Sequence, residues 1–352
     1  MFSHSKLKLI LKILALAPSS QKESTQRVLN SFSLITIISV VLSAIFGFTL
    51  DVFGDGYIVS SLATSVVFIG LIVGHLAAVL ESLVKREKHD EFFEKLYELD
   101  DFFRVKVGYT IPVASQSKKL NGKYSIITLV VFVSLLIYIG SILTHTYEGF
   151  FWHGSISVIV SRIRCIQASV YVDLFNLRFR HLNKVLKQLA SSLLKPSNQI
   201  LDINLCDIDN PKRIIVIKSI YRKLYDLVTY LNDAFGWSIL TFTVYFCLDF
   251  TCNCYWLILA WDDYLPSYHN HECFFTVCPI VLLMTSYCYI CSECMRMSDN
   301  TKLLVQKMLV TSNNDHTNDL LNAFLMQINN QPIFIHAKMF FRVNLKLLTS
   351  VS

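Results

Sequence analysis

Charged side chains are scarce in this sequence: Asp, Glu, Lys and Arg make up 16% of its 352 residues, while 53% of the residues are hydrophobic. A soluble domain is about 25% charged and about 45–50% apolar, so this scarcity argues against a soluble globular protein. The apolar residues also cluster into long runs, and a bilayer core needs about 20 consecutive apolar residues for each crossing helix. The composition therefore predicts a membrane protein.

Six apolar runs are long enough to cross a bilayer, and they predict an all-α polytopic membrane protein. The first run carries no charge and follows a polar, basic stretch, residues 1–30, so it is not a cleaved signal peptide. Together the runs predict a transmembrane domain over residues 31–294. They cover residues 31–50, 58–84, 124–144, 150–175, 237–261 and 274–290.

Basic residues are absent from the three short loops between these runs, which are residues 51–57, 145–149 and 262–273. All but two of the 32 Lys and Arg residues lie in residues 1–30, 85–123, 176–236 and 295–346. Basic segments stay on the cytoplasmic side during insertion, so the N-terminus and the long loops are predicted to be cytoplasmic. The charges are spread along loops and helix ends, which excludes a nucleic-acid-binding patch.

Apolar residues recur at helical spacing in the second long loop, and they predict a helix that continues without a break into the fifth apolar run. They are Ile217, Ile220, Leu224, Leu227 and Leu231. We also predict that the fourth run extends inward, that residues 196–211 interrupt the helices, and that residues 301–309 and 320–328 are amphipathic helices. Such stripes fit helices packed within one subunit or a bundle between subunits.

Ionisable residues interrupt the apolar runs at a few positions. Arg162 and Arg164 lie in the fourth run and Asp249 in the fifth, where each charge costs roughly 2.5–3.5 kcal/mol unless it faces a partner or water. We predict that one arginine pairs with Asp249 and that the other faces a polar cavity. The alternative places both arginines at the outer water interface. Glu81 and Lys85 have the spacing of an i,i+4 pair.

Aromatic residues crowd the outer ends of the later runs, with Trp152 among them. One explanation is an interfacial aromatic belt; the other is an apolar pocket with a few polar groups. Tyr245 and Tyr287 lie deeper than a belt requires, which favours a pocket. The candidate ligand-binding residues are Trp152, Arg162, Arg164, Tyr245, Asp249 and Tyr287.

Catalytic signatures are missing from the sequence, which has no nucleophile elbow, H-E-x-x-H motif or phosphate-binding loop. Cys288, Cys291 and Cys294 have the C-x2-C-x2-C spacing of iron–sulfur proteins, but Ser298 stands where the fourth cysteine would be. Buried free cysteines usually serve as small packing residues. We therefore predict that the protein is not an enzyme and holds no cofactor or metal.

Two stretches carry a family resemblance: LFNLRFRHLNKVLKQL, residues 174–189, and IYRKLYDLVTYLNDAFGWSIL, residues 220–240. They resemble the R-F-x-x-L-N and L-Y-D-x-x-x-x-L-N-x-x-F-G patterns of the insect gustatory receptor family. The segment DNTKLLVQKML and the residues up to 350 resemble the last internal segment of that family. The positions that carry the resemblance as structural or assembly residues are Asn183, Leu224, Tyr225, Asn232 and Gly236.

The resemblance implies a seven-helix plasma-membrane receptor that assembles as a homo- or hetero-tetramer with other chemoreceptor subunits. Such receptors are ligand-gated cation channels that bind small-molecule tastants, contact membrane lipid and mediate acceptance or avoidance. In the family the seventh helix lines the pore, and residues 347–352 resemble only its start. We therefore expect six complete crossings and a truncated seventh helix, with cytoplasmic helices over residues 295–346.

Three other functions are weighed against this one. A G-protein-coupled receptor requires an external N-terminus, which the distribution of basic residues opposes. A membrane transporter is less favoured because the sequence shows no duplicated pair of broken helices. A truncated, non-conducting chemoreceptor isoform remains an alternative, given the short seventh segment.

Overall fold

The computed structural model describes residues 35–42, 45, 58–108, 113–144, 150–194, 210–262, 268–312 and 314–350. Its described part is almost entirely helical, and residues 35–42 form a helical segment ahead of the first labelled helix. The helices are α1 (Ile58–Val84), α2 (Arg86–Phe102), α3 (Val113–Thr144), α4 (Phe150–Leu194), α5 (Asn210–Trp261), α6 (Tyr268–Thr311), α7 (Asp315–Asn330) and α8 (Leu345–Ser350). A π-helical turn (Phe103–Val107) follows α2, and the short strands β1 (His336–Ala337) and β2 (Phe341–Arg342) form an antiparallel hairpin.

Three helices are far longer than a membrane is thick. The helices α4, α5 and α6 have 45, 52 and 44 residues. At about 1.5 Å per residue these lengths correspond to roughly 66–78 Å, more than twice the ~30 Å of a bilayer core. The predicted continuous helix through residue 237 is confirmed. The predicted interruption at residues 196–211 falls almost entirely outside the described residues, and its last two residues already belong to α5. That the additional helical turns lie on the cytoplasmic side stays a prediction.

Four described segments are long and apolar enough to cross a membrane. They are Ser65–Val84, Lys119–Gly140, Pro211–Trp261 and Phe274–Thr311. Among the described helices α4 does not meet this measure, and its apolar part contains Arg162 and Arg164. The predicted run 31–50 falls mostly outside the described residues. A polytopic helical membrane protein is therefore supported, while the number of crossings stays a prediction.

The apolar stripe of α5 is buried inside the single chain. Its five members, including Leu224, are at most 2% exposed. Of the two interpretations of this stripe, packing within one subunit is therefore confirmed. The bundle is also held by charge pairs: Arg178 of α4 donates twice to Asp100 of α2, at 3.0 and 2.6 Å. Bidentate pairs of this kind fix the relative position of two helices.

Two asparagines hold α4 against α6 at a heptad interval. The Asn176 amide donates to the carbonyl of Ile290 at 2.9 Å, and Asn183, seven residues later, donates to the carbonyl of Met297 at 2.9 Å. Both partners advance by seven residues, so the two helices are parallel and keep one register over this length. Asn183 also accepts a bond from the hydroxyl of Thr301 at 2.6 Å.

The same register predicts a stabilising substitution at Cys294. The side-chain oxygen of Asn176 is buried without a hydrogen-bond partner. Cys294 precedes Thr301 by seven residues, the same interval that separates Asn176 from Asn183. Cys294 should therefore face Asn176 in the way that Thr301 faces Asn183. Cys294→Ser should supply the missing donor and raise the free energy of unfolding by about 1 kcal/mol. Thermal unfolding in detergent measures the change. An equal gain from Cys288→Ser, almost two turns earlier on α6, would contradict this explanation.

Candidate functional site

Three of the candidate ligand-binding residues meet in a buried polar cluster. The Tyr245 hydroxyl donates to one oxygen of Asp249 at 3.0 Å, and the Asn253 amide donates to the other at 2.8 Å. Arg162 of α4 interacts electrostatically with both Tyr245 and Asp249, while its guanidinium donates to the Ser134 hydroxyl of α3 at 2.8 Å. The cluster therefore joins three helices through charge and hydrogen bonds.

Arg164 has a charged partner that the sequence did not indicate. It pairs with Glu81 of α1, with 3.5 Å between Nη2 and Oε2, and both side chains are buried. The sequence-based pairing of Glu81 with Lys85 is thus wrong, because the Glu81 carboxylate points into the bundle. The i,i+4 rule identifies neighbours on one helix and contains no information about a partner on another helix. The predicted pairing of one arginine with Asp249 is not found among the described ion pairs, although Arg162 is close enough to Asp249 to interact with it electrostatically.

The buried pair makes an unusual set of bonds to the backbone of α5. Glu81 accepts from the backbone N–H groups of Trp237 and Ser238, each at 2.9 Å, and also from the Ser238 hydroxyl. Arg164 donates to the carbonyl of Ala234 at 3.1 Å and to the Ser238 hydroxyl at 3.2 Å. A buried ion pair persists only when its remaining donors and acceptors are satisfied, and here α5 satisfies them.

A small cavity lies directly beside this ion pair, between α4, α5 and α6. Its volume is about 10 Å³, close to the space that one water molecule needs. Arg164 of α4 and the buried Tyr287 of α6, two of the candidate residues, both line it. The remaining lining residues are Cys165, Ala168, Ser238, Ile239, Phe242, Thr243, Phe246 and Met284.

The five candidate residues whose side chains are described thus fall into two neighbouring groups. Arg162, Tyr245 and Asp249 form the polar cluster, while Arg164 and Tyr287 line the cavity. The side chain of Trp152 is outside the described part of the chain. Sequence reasoning missed the role of Glu81, although a lone acid in an apolar run was a usable signal.

Two motif residues of α5 hold the hairpin formed by β1 and β2. The Asn232 amide donates to the carbonyl of Phe334 at 3.0 Å, and its oxygen accepts from the backbone N–H of His336 at 3.1 Å. At Gly236 a Cβ would stand 3.1 Å from Cγ of Lys338, so glycine permits the lysine stem to cross α5 closely. Leu224 is buried within the bundle, and Tyr225 packs partly buried against it.

The hairpin should depend on pH through His336. Burial, assisted by the charge of Lys338 and opposed by Asp233, lowers the pKa of His336 below its ordinary value. In the turn, Nδ1 of His336 accepts from the backbone N–H of Met339 at 3.1 Å, which requires the unprotonated nitrogen. Because the folded-state pKa is the lower one, this stabilisation is complete above about pH 6.5 and is lost as the pH falls through the folded-state pKa.

Amide hydrogen exchange at Met339 measures this effect. We expect faster exchange below about pH 6, after correction for the intrinsic pH dependence of exchange. The matched control is His336→Gln, whose side-chain oxygen can still accept the bond but does not titrate. An equally strong pH dependence in the Gln variant would contradict the assignment to His336.

Comparisons with known proteins converge on one family. A family model described as 7tm Chemosensory receptor matches residues 9–352. A Drosophila melanogaster protein assigned as gustatory receptor 39b is 23% identical over 349 residues, which cover 96% of this chain and 92% of that protein. Gustatory receptor 23a of the same insect is 28% identical over 144 residues, or 40% of this chain and 37% of that receptor.

The fold is also similar to a solved structure. The insect olfactory receptor OR5 from Machilis hrabei superimposes with a TM-score of 0.69 at 14% identity, covering 99% of this chain and 93% of that one. The same receptor in complex with eugenol superimposes with a TM-score of 0.66 at 13% identity and the same coverage. At this level of identity the similarity concerns the fold.

Proposed function

Because this chain belongs to the insect chemosensory receptor family, we propose that it is a gustatory receptor, a subunit of a cation channel gated by small-molecule tastants. The family is a receptor family and not an enzyme family, which confirms the prediction that the protein is not an enzyme. One observation carries the proposal: α4, α5 and α6 enclose an aromatic cavity that touches a buried ion pair.

The lining of this cavity suits a small organic ligand. Phe242, Phe246 and Met284 supply apolar surface, while Ser238 and Thr243 supply hydroxyls that can orient a polar group. Small-molecule sites combine apolar walls with a few placed polar groups in this way. Because the charge of Arg164 is already paired with Glu81, we expect a neutral ligand. Because the cavity has room for only about one water molecule, side chains must move to admit a ligand.

Exposed apolar residues support the proposed assembly. Leu303 and Val310 of α6 and Met326 of α7 are 61%, 85% and 67% exposed, and all three lie in the helices expected to be cytoplasmic. Large exposed apolar side chains grouped on one part of a protein commonly mark an interaction surface. Contact between homo- or hetero-tetramer subunits through these helices would cover them, whereas the buried stripe of α5 is not available to a partner.

Ligand-induced stabilisation tests the cavity. A panel of neutral tastants should include compounds that raise the free energy of unfolding, by about 2.7 kcal/mol at 100 times Kd. Tyr287→Ala should weaken the binding of these compounds at least about tenfold, a loss of roughly 1.4 kcal/mol. The matched control is Phe250→Ala on α5, where the side chain is exposed. Equal affinity in the two variants would exclude the cavity as the ligand site.

Tag accessibility tests the proposed orientation in the plasma membrane. An epitope placed before residue 1 should bind antibody only after the cells are permeabilised, because basic segments are retained inside. A tag in residues 262–273 should bind antibody on intact cells and serves as the control. An N-terminal tag that is accessible on intact cells would contradict the receptor-channel assignment and favour a G-protein-coupled receptor.

A further inference from the structure

One short stretch of α5, residues 232–238, receives side chains from two different parts of the molecule. We call this stretch the α5 junction. It lies in the interior of a helix of 52 residues, where backbone groups normally bond only to one another. Here several backbone and side-chain groups bond to residues of α1, α4 and the hairpin. The junction therefore connects the Glu81–Arg164 pair with the hairpin.

The first connection comes from the ion pair between α1 and α4. The Glu81 carboxylate accepts from two consecutive backbone N–H groups, at Trp237 and Ser238, as an acidic cap does at the beginning of a helix. The Arg164 guanidinium donates to the carbonyl of Ala234. Side chains that insert into the backbone ladder are a recognised cause of helix bending. Gly236, between these contacts, adds backbone freedom.

The second connection comes from the hairpin. Asn232 bonds to the backbone on both sides of residue 335, and the stem of Lys338 crosses Gly236. The chain then enters α8, where the backbone N–H of Leu345 donates to the Ser292 hydroxyl of α6 at 2.8 Å. The hairpin is thus continuous in the chain with α8 and is hydrogen-bonded to the α5 junction, so it links the two.

The hairpin turn is held in a conformation that its residues rarely adopt. Lys338 and Met339 have φ values of 46° and 64°, which is the left-handed region that non-glycine residues avoid. Such a turn persists only while surrounding contacts fix it. The contacts made by Asn232 and Gly236 therefore help to keep the hairpin in place, together with the bond from Met339 to His336.

We propose that the α5 junction is a relay through which the Glu81–Arg164 pair controls the position of the hairpin and of α8. Glu81 acts as a positioning residue: it sets the backbone of residues 234–238, and that backbone presents Asn232 and Gly236 to the hairpin. This inference rests on the proposed function, because the two share residues. Ser238 of the junction and Arg164, which bonds to it, both line the proposed ligand cavity. A ligand in the cavity would act on the same residues.

Limited trypsin digestion of the purified full chain tests the relay without ligand or current. Cleavage after Lys338 and Arg342, identified by mass spectrometry, reports release of the hairpin. We expect Glu81→Ala to accelerate this cleavage about tenfold, because cleavage follows the population of the open form. Ser134→Ala is the matched control. It removes the bond to Arg162, which lies two residues from Arg164 on α4, and it leaves the contacts of the junction intact. Equal cleavage in these two variants would overturn the relay.

Two further variants keep the test decisive if Glu81→Ala does not fold. Glu81→Gln and Ser238→Ala each weaken the same contacts more gently, and each should accelerate cleavage at the hairpin more than Ser134→Ala does. Unchanged cleavage in both would overturn the proposal. Asn232→Ala releases the hairpin directly, so adding Glu81→Gln to it should give no further acceleration; an independent, multiplied effect would also contradict the relay.

The readout separates this inference from the proposed function. Faster hairpin cleavage together with no response to any tastant would support the relay and count against the receptor function. If a tastant evokes a response but substitutions of Glu81 leave hairpin cleavage unchanged, the receptor function would be supported and the relay would be contradicted.

Discussion

Replacing Arg164 with Ala is expected to destabilise the protein by about 3–5 kcal/mol, because the buried Glu81 carboxylate would lose its counter-charge. Arg164 is fully buried, and its guanidinium also donates to Gln167 at 2.9 Å and lies over the Phe235 ring at 4.3 Å. Folded domains have only about 5–15 kcal/mol of stability in total. When the variant is purified in detergent and analysed by size-exclusion chromatography, most of it should therefore be missing from the monodisperse peak.

The matched control is Arg162→Ala on the same helix. Arg162 bonds to a neutral hydroxyl, and Asp249 keeps its bonds from Tyr245 and Asn253, so the loss should be smaller than for Arg164→Ala. Adding Glu81→Gln to Arg164→Ala should recover part of the stability, because the unpaired charge disappears. A double variant that is as unstable as the sum of the two single variants would show that the pair is not coupled.

Removing the Asn232 amide should have the second largest effect. Asn232→Leu leaves the carbonyl of Phe334 and the backbone N–H of His336 without their partner. A fully buried unsatisfied group costs about 1–3 kcal/mol, and these half-buried groups should each cost an amount near the lower end of that range. We expect a lower melting temperature and fast amide exchange over residues 334–342. Hydrogen exchange followed by mass spectrometry resolves this segment from the rest of the chain.

Asn232→Asp separates the two bonds of this amide. A carboxylate still accepts from the backbone N–H of His336 but cannot donate to the carbonyl of Phe334. Its effect should therefore lie between wild type and Asn232→Leu. If Asn232→Leu leaves exchange over residues 334–342 unchanged, the amide does not hold the hairpin.

Periodicity and composition predicted the helices well, because both depend on local sequence. The stripe that includes Leu224 follows directly from the spacing of its apolar residues. The seven-residue interval between Asn176 and Asn183 can also be read from the sequence, but the residues of α6 that bond to these asparagines cannot. Registers between helices distant in sequence depend on how the bundle packs, and no local pattern specifies that packing.

The candidate site was predicted in part for the same reason. The cost of burying charge led to the expectation of polar partners for the buried arginines, and both have them, but neither forms the predicted ion pair with Asp249. Glu81 was assigned to its own helix, while its carboxylate actually bonds to α5 and Arg164. The i,i+4 spacing gave a sufficient local explanation, and only the fold revealed the longer-range partner.

The most direct test of the receptor function is whole-cell recording from cells that express this chain, extended to complete the seventh helix, at their surface, with a broad panel of neutral tastants. We expect at least one compound to evoke a dose-dependent cation current that Tyr287→Ala weakens and Phe250→Ala preserves. No evoked current across the panel, with surface expression confirmed, would contradict the assignment as a ligand-gated channel subunit.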